Sequence, residues 1–292
     1  MSVYKCFDCN KDVCKDCSRK HHDKYRDEDL IHSVQLIRDS FIMNCKFRLQ
    51  SLLRDIQCLP NGEVVAAALL SSELFIFSVS GKLRHVIQLK VNSMMMTVMD
   101  KSTVALLLKK INSIAIVDIQ QNHVQYIHNI AMENSSGTLI YIENKFYIGY
   151  TSHISVIDMS GSVKRRIKLS FTPYVMCYNC VSQHIYCINS SHSEMICIDK
   201  DVNDKFIFTD PSMRDLKDLT IDNEGNVLVL CRKEDDISGY NVITVDSNGG
   251  KSEIVIENIN KLSPYSRICY DHLSNSLVIA SDNEVYIYKK KA

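Results

Sequence analysis

The chain contains an internal repeat with a period of about 40 residues. Five short apolar segments are versions of one another, at residues 74–81, 114–118, 154–161, 195–199 and 242–249, and a degenerate sixth copy covers residues 285–289. Equivalent positions, counted from Ser78 to Lys289, are separated by 40, 40, 41, 47 and 43 residues. Each period has room for several short strands, and this combination is typical of a β-propeller, in which four-stranded sheets surround a central channel.

Strand and turn signals recur within each period. In the first period, strands are predicted at residues 55–59, 63–68, 74–77 and 84–89. The segment at 218–227 (DLTIDNEGNV) aligns with the one at 55–64 (DIQCLPNGEV). The sixth period ends one strand short, so we expect residues 46–49 to complete the last blade, because a closed ring has no open sheet edge.

A dense cluster of cysteine and histidine precedes the repeats. The first 32 residues contain the spacing C-x2-C-x4-C-x2-C followed by histidines, at Cys6, Cys9, Cys14, Cys17, His21, His22 and His32. Paired cysteines with histidines downstream are typical zinc ligands. Residues 1–37 are polar and too few to bury a core, so bound Zn²⁺ is the expected source of their stability. The sequence therefore predicts a mainly β protein, with a zinc finger at 1–37, a linker at 38–44 and a six-bladed β-propeller at 45–292.

Composition disfavours nucleic acid and membrane partners. The formal net charge is zero and the pI is about 7.1, so no global basic field attracts RNA. The basic runs at 109–110, 164–166 and 289–291 fall at different strand positions of different blades and lack interleaved aromatic residues, so we interpret them as solvated strand edges. No apolar run marks a signal peptide or a membrane span. We expect a cytoplasmic protein with reduced thiols.

Two further sets of residues admit a functional and a structural interpretation. The cysteines at 177, 180, 187 and 197 are compatible with a second metal or redox site, and equally with small buried side chains. Their strand-like context favours burial. The aspartates that end the repeated segments could form a ring of metal ligands or cap the turns that follow. Turn capping is favoured for Asp118, Asp158, Asp199 and Asp246. The serines, histidines and aspartates form no nucleophile motif.

The N-terminal pattern resembles the B-box zinc finger of tripartite-motif proteins, in which eight ligands hold two zinc ions in a cross-brace. The first ligand pair of that family, C-x2-H, has no counterpart here, so either one site is vacant or the chain start is a truncation. The resemblance implies one complete tetrahedral site with the ligands Cys6, Cys9, His21 and His32. It leaves an orphan half-site with the ligands Cys14 and Cys17, and His22 is an alternative to His21.

The repeats resemble the NHL-like six-bladed propeller that follows the B-box in some of these proteins, through residues 59–64 (LPNGEV) and 74–82 (LFIFSVSGK). A RING finger and a long heptad coiled coil have no match in the sequence. The resemblance implies a zinc-binding adaptor that recruits a protein partner through propeller loops, and the lack of a catalytic motif in the sequence favours a non-enzymatic role. The alternatives are a component or truncated form of a RING-type ubiquitin ligase and an RNA-binding propeller.

Overall fold

The computed structural model describes residues 3–5, 12–14, 41–78, 80–201, 203–210, 214–233, 239–260 and 262–291. The chain divides into two compact units, Met1–Ser40 and Phe41–Ala292. In the first unit, β1 (Val3–Lys5) pairs with β2 (Asp12–Cys14) as an antiparallel two-stranded sheet.

The described residues of the second unit form six four-stranded antiparallel sheets, which are the blades of a propeller. Blade 1 contains β4 (Leu53–Cys58), β5 (Glu63–Ala68), β6 (Glu73–Ser78) and β7 (Leu83–Gln88). Blade 2 contains β8 (Met96–Val98), β9 (Thr103–Leu108), β10 (Ser113–Asp118) and β11 (His123–Ile127), with a short 3₁₀ helix at Lys109–Ile111. Blade 3 contains β12 (Ser135–Ile142), β13 (Lys145–Tyr150), β14 (His153–Asp158) and β15 (Val163–Lys168).

The other three blades repeat this order. Blade 4 contains β16 (Pro173–Asn179), β17 (His184–Asn189), β18 (Met195–Asp199) and β19 (Asp204–Phe208). Blade 5 contains β20 (Arg214–Ile221), β21 (Val227–Arg232), β22 (Gly239–Val245) and β23 (Ser252–Asn260). Blade 6 contains β24 (Arg267–Asp271), β25 (Ser276–Ser281), β26 (Glu284–Lys290) and β3 (Phe41–Arg48). The first strands of neighbouring blades contact each other in a closed ring, so they surround the central channel.

Strand β3 closes the ring, as the sequence predicts for a strand from the N-terminal side. It pairs antiparallel with β26, from Phe41 opposite Lys290 to Arg48 opposite Glu284. The strand begins at Phe41, inside the segment 38–44 that the sequence assigns to a linker. Phe41 is buried, and its ring lies 6.4 Å from that of Tyr270, so an aromatic contact extends the pairing to this earlier residue.

The core lies between neighbouring blades. The middle strands of each blade are buried on both faces and therefore read as continuous apolar runs, such as residues 64–68 in β5 and 227–231 in β21. Separate clusters fill the spaces between blades, and one of them joins Ile56 and Phe77 of blade 1 to Val278 and Ile287 of blade 6. The seam between the first and last blades is therefore packed like the other blade junctions.

Phe47 provides a test of this closure. Its ring lies 5.0 Å from that of Phe77 in an edge-to-face arrangement, and it fills the space against Gly81, where an added Cβ would come within 2.6 Å. We expect Phe47→Ala to lower the free energy of unfolding by about 2 kcal/mol, less than for a fully buried phenylalanine because Phe47 is only partly buried. Denaturant unfolding measures the change.

Ile42 is the matched control, because it lies in the same strand with a side chain that is 55% exposed. Ile42→Ala is expected to change the free energy of unfolding by no more than about 0.5 kcal/mol. Equal effects of the two substitutions would show that packing across the seam does not stabilise the ring.

Candidate functional site

A cavity of about 290 Å³ occupies the centre of the ring and is lined by the first strands of all six blades. At one end it reaches Pro60 and His272, which are exposed. At the other end it reaches Asp55 and Asp218, which are buried. The cavity therefore opens on the ring face that carries the turns between the first and second strands, which we name the turn face.

Three charged residues occupy one equivalent position in three consecutive blades. Asp218 of blade 5, Arg267 of blade 6 and Asp55 of blade 1 are only 5%, 6% and 1% exposed. Each lies at the same place in its first strand, because each pairs with the corresponding residue of its second strand, namely Leu230, Ala280 and Ala67. The ring thus places two carboxylates and one guanidinium at one level of the channel.

The two carboxylates satisfy backbone groups at the inner edges of the sheets. Asp55 accepts the N–H of Ile56 at 2.8 Å and that of Met96, in blade 2, at 2.6 Å. Asp218 accepts the N–H of the next residue at 2.9 Å and that of Ile268, in blade 6, at 2.8 Å. A first strand has no partner on its channel side, so these bonds replace the missing strand and join neighbouring blades.

Arg267 spans the side of the channel away from the turn face. Its Nη1 donates to the carbonyl oxygen of Lys217 at 3.2 Å, and its Nη2 donates to the Tyr174 hydroxyl at 3.4 Å. The guanidinium carbon also lies 5.6 Å from the centre of the Tyr174 ring, a cation–π distance. Arg267 therefore links blade 6 to blades 5 and 4, and it does not line the cavity.

Burial brings the pKa values of both carboxyl groups into the neutral range. It raises the pKa of Asp55 to about 7, and the nearby Asp218 carboxylate raises this pKa as well. It also raises the pKa of Asp218 to about 6. The Arg267 charge and the backbone N–H donors act in the opposite direction on both groups. The two carboxyl groups therefore change protonation near physiological pH.

Apolar side chains form a large part of the cavity wall. Met96, Ile140 and Leu219 contribute to it together with the thiols of Cys58 and Cys269, whose sulfur atoms lie 3.0 Å apart. Burial raises the pKa of Cys269 well above its ordinary value. A protonated, buried thiol acts as a small apolar side chain.

Aromatic residues surround the mouth. Tyr141, Tyr178 and His272 line the outer part of the cavity and are partly or fully exposed. His272 is exposed as a whole residue, but partial desolvation of its ring lowers the pKa of this side chain, so the neutral form predominates at pH 7. The described residues that line the cavity include two aspartates and no lysine or arginine.

Hydrogen bonds join the turns around the mouth from blade 4 to blade 6, and a side-chain contact continues to blade 1. The Asn179 side chain donates to the carbonyl oxygen of Gly225 at 2.9 Å, and that of Asn223 donates to the carbonyl oxygen of His272 at 3.1 Å. Leu273 contacts Gly62, where an added Cβ would lie 3.0 Å from its side chain. We name residues 59–62, 179–183, 222–226 and 271–275 the linked turns.

The linked turns present apolar side chains to solvent. Val181 is 82% exposed and Leu273 is 70% exposed. Both turns are held by side-chain caps, because Asn179 accepts the N–H of Val181 at 2.9 Å and Asp271 accepts that of Leu273 at 3.1 Å. The surface is therefore fixed in shape before any partner binds.

The predicted zinc ligands remain a prediction. Cys6, Cys9, Cys17, His21, His22 and His32 lie outside the described residues, and Cys14 is the last residue of β2, of which only the backbone is described. In the part of the chain that the structure describes, no three His, Cys, Asp or Glu side chains are grouped as metal ligands.

The turn interpretation of the repeated aspartates is confirmed. Their carboxylates accept backbone N–H groups two to four residues further on, at Asp118, Asp158, Asp199 and Asp246. Of the later cysteines, Cys187 and Cys197 are fully buried in strands. Cys180 instead lies exposed in the turn after β16, so the prediction from the sequence that it lies in a strand is wrong.

The basic runs lie on separate blades and are partly paired. Lys164 and Arg165 belong to β15, and they contact Asp158 at 2.8 Å and Asp201 at 3.0 Å. The pair at 109–110 forms the 3₁₀ turn of blade 2, and the run at 289–291 ends blade 6. The described residues therefore present no continuous basic surface formed by these runs.

The three charged residues at one equivalent position of the channel were not identified from the sequence. The alignment of 55–64 with 218–227 already sets Asp55 opposite Asp218, and Arg267 opens the matching strand of the sixth period. The recurrence of an ionisable residue at one equivalent position of the first strand is the signal that could have identified them.

Comparison with known proteins shows the fold. No protein-family model and no curated protein matches the chain. A protein of unknown function from Bacteroides thetaiotaomicron aligns with a TM-score of 0.67 and 14% identity over 86% of this chain and 74% of that one. A streptogramin B lyase gives 0.63 and 9% identity over 86% and 98% of the two chains. A virginiamycin B lyase from Staphylococcus aureus gives 0.60 and 11% over 85% and 99%.

At these identities the similarity establishes a mainly β propeller architecture alone, and a propeller is a fold compatible with a protein-interaction scaffold. Among the residues that the structure describes, no helix combines the length and the hydropathy needed to span a membrane.

The raised pKa of Asp55 predicts how stability depends on pH. The folded protein binds this proton more tightly than the unfolded chain, in which the pKa is about 3.9, so the contribution of Asp55 to stability falls by up to about 4 kcal/mol as pH rises from 4 to above 7. We expect Asp55→Asn to remove this part of the pH dependence. The variant also loses about 1 kcal/mol or more at every pH, since an amide oxygen replaces only one of two acceptors.

Urea unfolding of both proteins at pH 5.5 and pH 8 isolates the effect, because other titrating groups cancel in the difference. The free energy of unfolding should fall more steeply with pH in the wild type than in the variant. The same slope in both proteins would contradict a carboxyl group that titrates near neutrality.

Proposed function

We propose that the protein is a non-enzymatic adaptor, in which the turn face of the propeller recruits a protein partner and the N-terminal segment carries a B-box-type zinc finger. The observation that supports partner recruitment is the linked turns, which hold Val181 and Leu273 exposed around the cavity mouth. Exposed apolar side chains on a rigid surface favour association, because little conformational freedom is lost on binding.

The opposite face also exposes apolar side chains. Leu70 is 80% exposed there, in the turn between β5 and β6, and Tyr265 is 61% exposed ahead of β24. The cavity mouth and the hydrogen bonds between turns belong to the turn face, and for this reason we assign the partner to it.

The zinc finger rests on the spacing of the cysteines and histidines and on the B-box resemblance. Cys6, Cys9, His21 and His32 are proposed as the complete site, with Cys14 and Cys17 as an orphan half-site. We also propose a cytoplasmic location, where such thiols stay reduced. A role in a ubiquitin ligase rests on the resemblance alone, and the ion pairs of Lys164 and Arg165 weigh against RNA binding.

The partner surface is tested by charge substitution. A protein captured from a lysate of the source organism by the wild type should be lost with the double variant Val181→Asp, Leu273→Asp, because buried carboxylates would be left unpaired in the complex. Quantitative mass spectrometry of the captured fraction measures the loss.

Leu70→Asp is the control, since it places one such negative charge at a similarly exposed position of the opposite face. It should leave capture unchanged. Capture that survives the double variant, or that Leu70→Asp abolishes, would place the interaction elsewhere.

The finger is tested by elemental analysis of the purified full chain. We expect one zinc ion per chain, lost in Cys6→Ser and kept in Cys14→Ser, because only the first cysteine belongs to the complete site. No stoichiometric zinc in the wild type would refute the finger, and two zinc ions would show that Cys14 and Cys17 have further ligands.

A further inference from the structure

We propose that the central cavity is a binding site for an organic cation, an alkylammonium or alkylguanidinium group whose charged end lies between Asp55 and Asp218. This site goes beyond the partner surface of the turn face and does not depend on it. Its chemistry follows from charge, from unused hydrogen-bond acceptors and from the shape of the wall.

With both carboxyl groups ionised, the channel carries more negative than positive charge. Asp55 and Asp218 face it with two carboxylates, and Arg267 is the cation that acts on both. The neighbouring Lys217 directs its ammonium away from the cavity, to Asp215 at 2.6 Å, a carboxylate that Arg232 also contacts at 3.3 Å. With both carboxylates ionised, one positive charge is lacking at the closed end of the cavity.

The carboxylates retain acceptor capacity on the cavity side. Each of the four carboxylate oxygens accepts one backbone N–H, from Ile56, Met96, Leu219 or Ile268. An ionised carboxylate oxygen has two acceptor positions, so one remains on each oxygen for a further donor. Ammonium and guanidinium groups present several N–H donors and form charge-assisted hydrogen bonds of this kind.

The wall suits a short apolar stem. Between the carboxylates and the mouth, the cavity is bounded by Met96, Ile140, Met176 and Leu219. Its volume of about 290 Å³ lies at the lower limit of the roughly 300–1,000 Å³ of common small-molecule sites. The rings of Tyr141 and Tyr178 near the mouth are further surfaces that attract cations.

Binding of a cation is coupled to proton release. The charged and titratable groups acting on Asp55 are Asp218 and Arg267, while Cys269 lies beside both carboxylates and His272 stands at the mouth. The thiol is protonated and the imidazole neutral at pH 7, so the carboxyl groups are the ones that lose protons when a positive charge arrives. Affinity for a cation therefore rises as pH increases from 6 to 8.

Butylguanidinium and its neutral isostere butylurea are the probes, with binding to the full chain measured by calorimetry and NMR. We expect butylguanidinium to bind, to shift the amide signals of Gln57 and Thr97 in the cavity wall, and to release protons, seen as a binding enthalpy that varies with the buffer at pH 7. Butylurea should bind at least about tenfold more weakly. Equal binding of the two probes, or no binding of either, would overturn the proposal.

Asp218→Asn should weaken butylguanidinium binding about tenfold or more, whereas Asp246→Asn, the same substitution in an outer turn, should not. Unchanged affinity in Asp218→Asn would overturn the proposal. If that variant fails to fold, proton release by the wild type decides, because binding elsewhere on the surface would not draw protons from buried carboxyl groups.

The same chemistry can come from a free polyamine or from a basic side chain of a peptide, and two further titrations separate these sources. Spermidine is compared with a short peptide that ends in arginine, using the citrulline peptide as the neutral control. Tighter binding of spermidine indicates a free amine, and tighter binding of the arginine peptide indicates a side chain. Discrimination against citrulline supports the charge-based site, and its absence contradicts it for peptides.

Discussion

The pairing of β3 with β26 is the interaction on which the rest of the structure depends. It brings the start of the propeller sequence to its last blade, so that six separate sheets become a ring. Contacts between neighbouring blades are then continuous, because the packing of blade 1 against blade 6 needs both to be held at the seam. The central cavity is a consequence of this closure, since its wall takes residues from the first strand of every blade.

Closure creates a problem at the channel, where each first strand exposes backbone donors that no further strand can reach. Asp55 and Asp218 solve it for blades 2 and 6 by accepting the N–H groups of Met96 and Ile268. Burying a carboxylate for this purpose costs free energy, because desolvation disfavours its charge and the attraction to Arg267 offsets only part of that cost. The same groups that join the blades therefore leave one negative charge uncompensated in the channel when both are ionised.

Local patterns predicted the blades, because each strand and turn is encoded in its own period. The apolar runs at 64–68 and 227–231 and the capped turn at Asp158 could be assigned without knowledge of their neighbours. The start of β3 was harder to predict, because Ile42 and Met43 are exposed and blur the alternation expected of an edge strand. Phe41 pairs with Lys290 and its ring contacts Tyr270, and both of these residues are distant in sequence.

The channel site could not be predicted from one period at a time. Asp55, Asp218 and Arg267 form a unit because three blades place equivalent positions at one level, and that relation exists only after closure. The linked turns arise in the same way, since Asn179 and Asn223 each bond to the turn of the next blade. The carboxylates and the linked turns both connect neighbouring blades, each at its own depth in the ring. A change in the angle between two blades would therefore disturb the carboxylates and the turn surface together. Propeller rigidity is therefore a condition for the shape of the mouth as well as for the charge distribution beneath it.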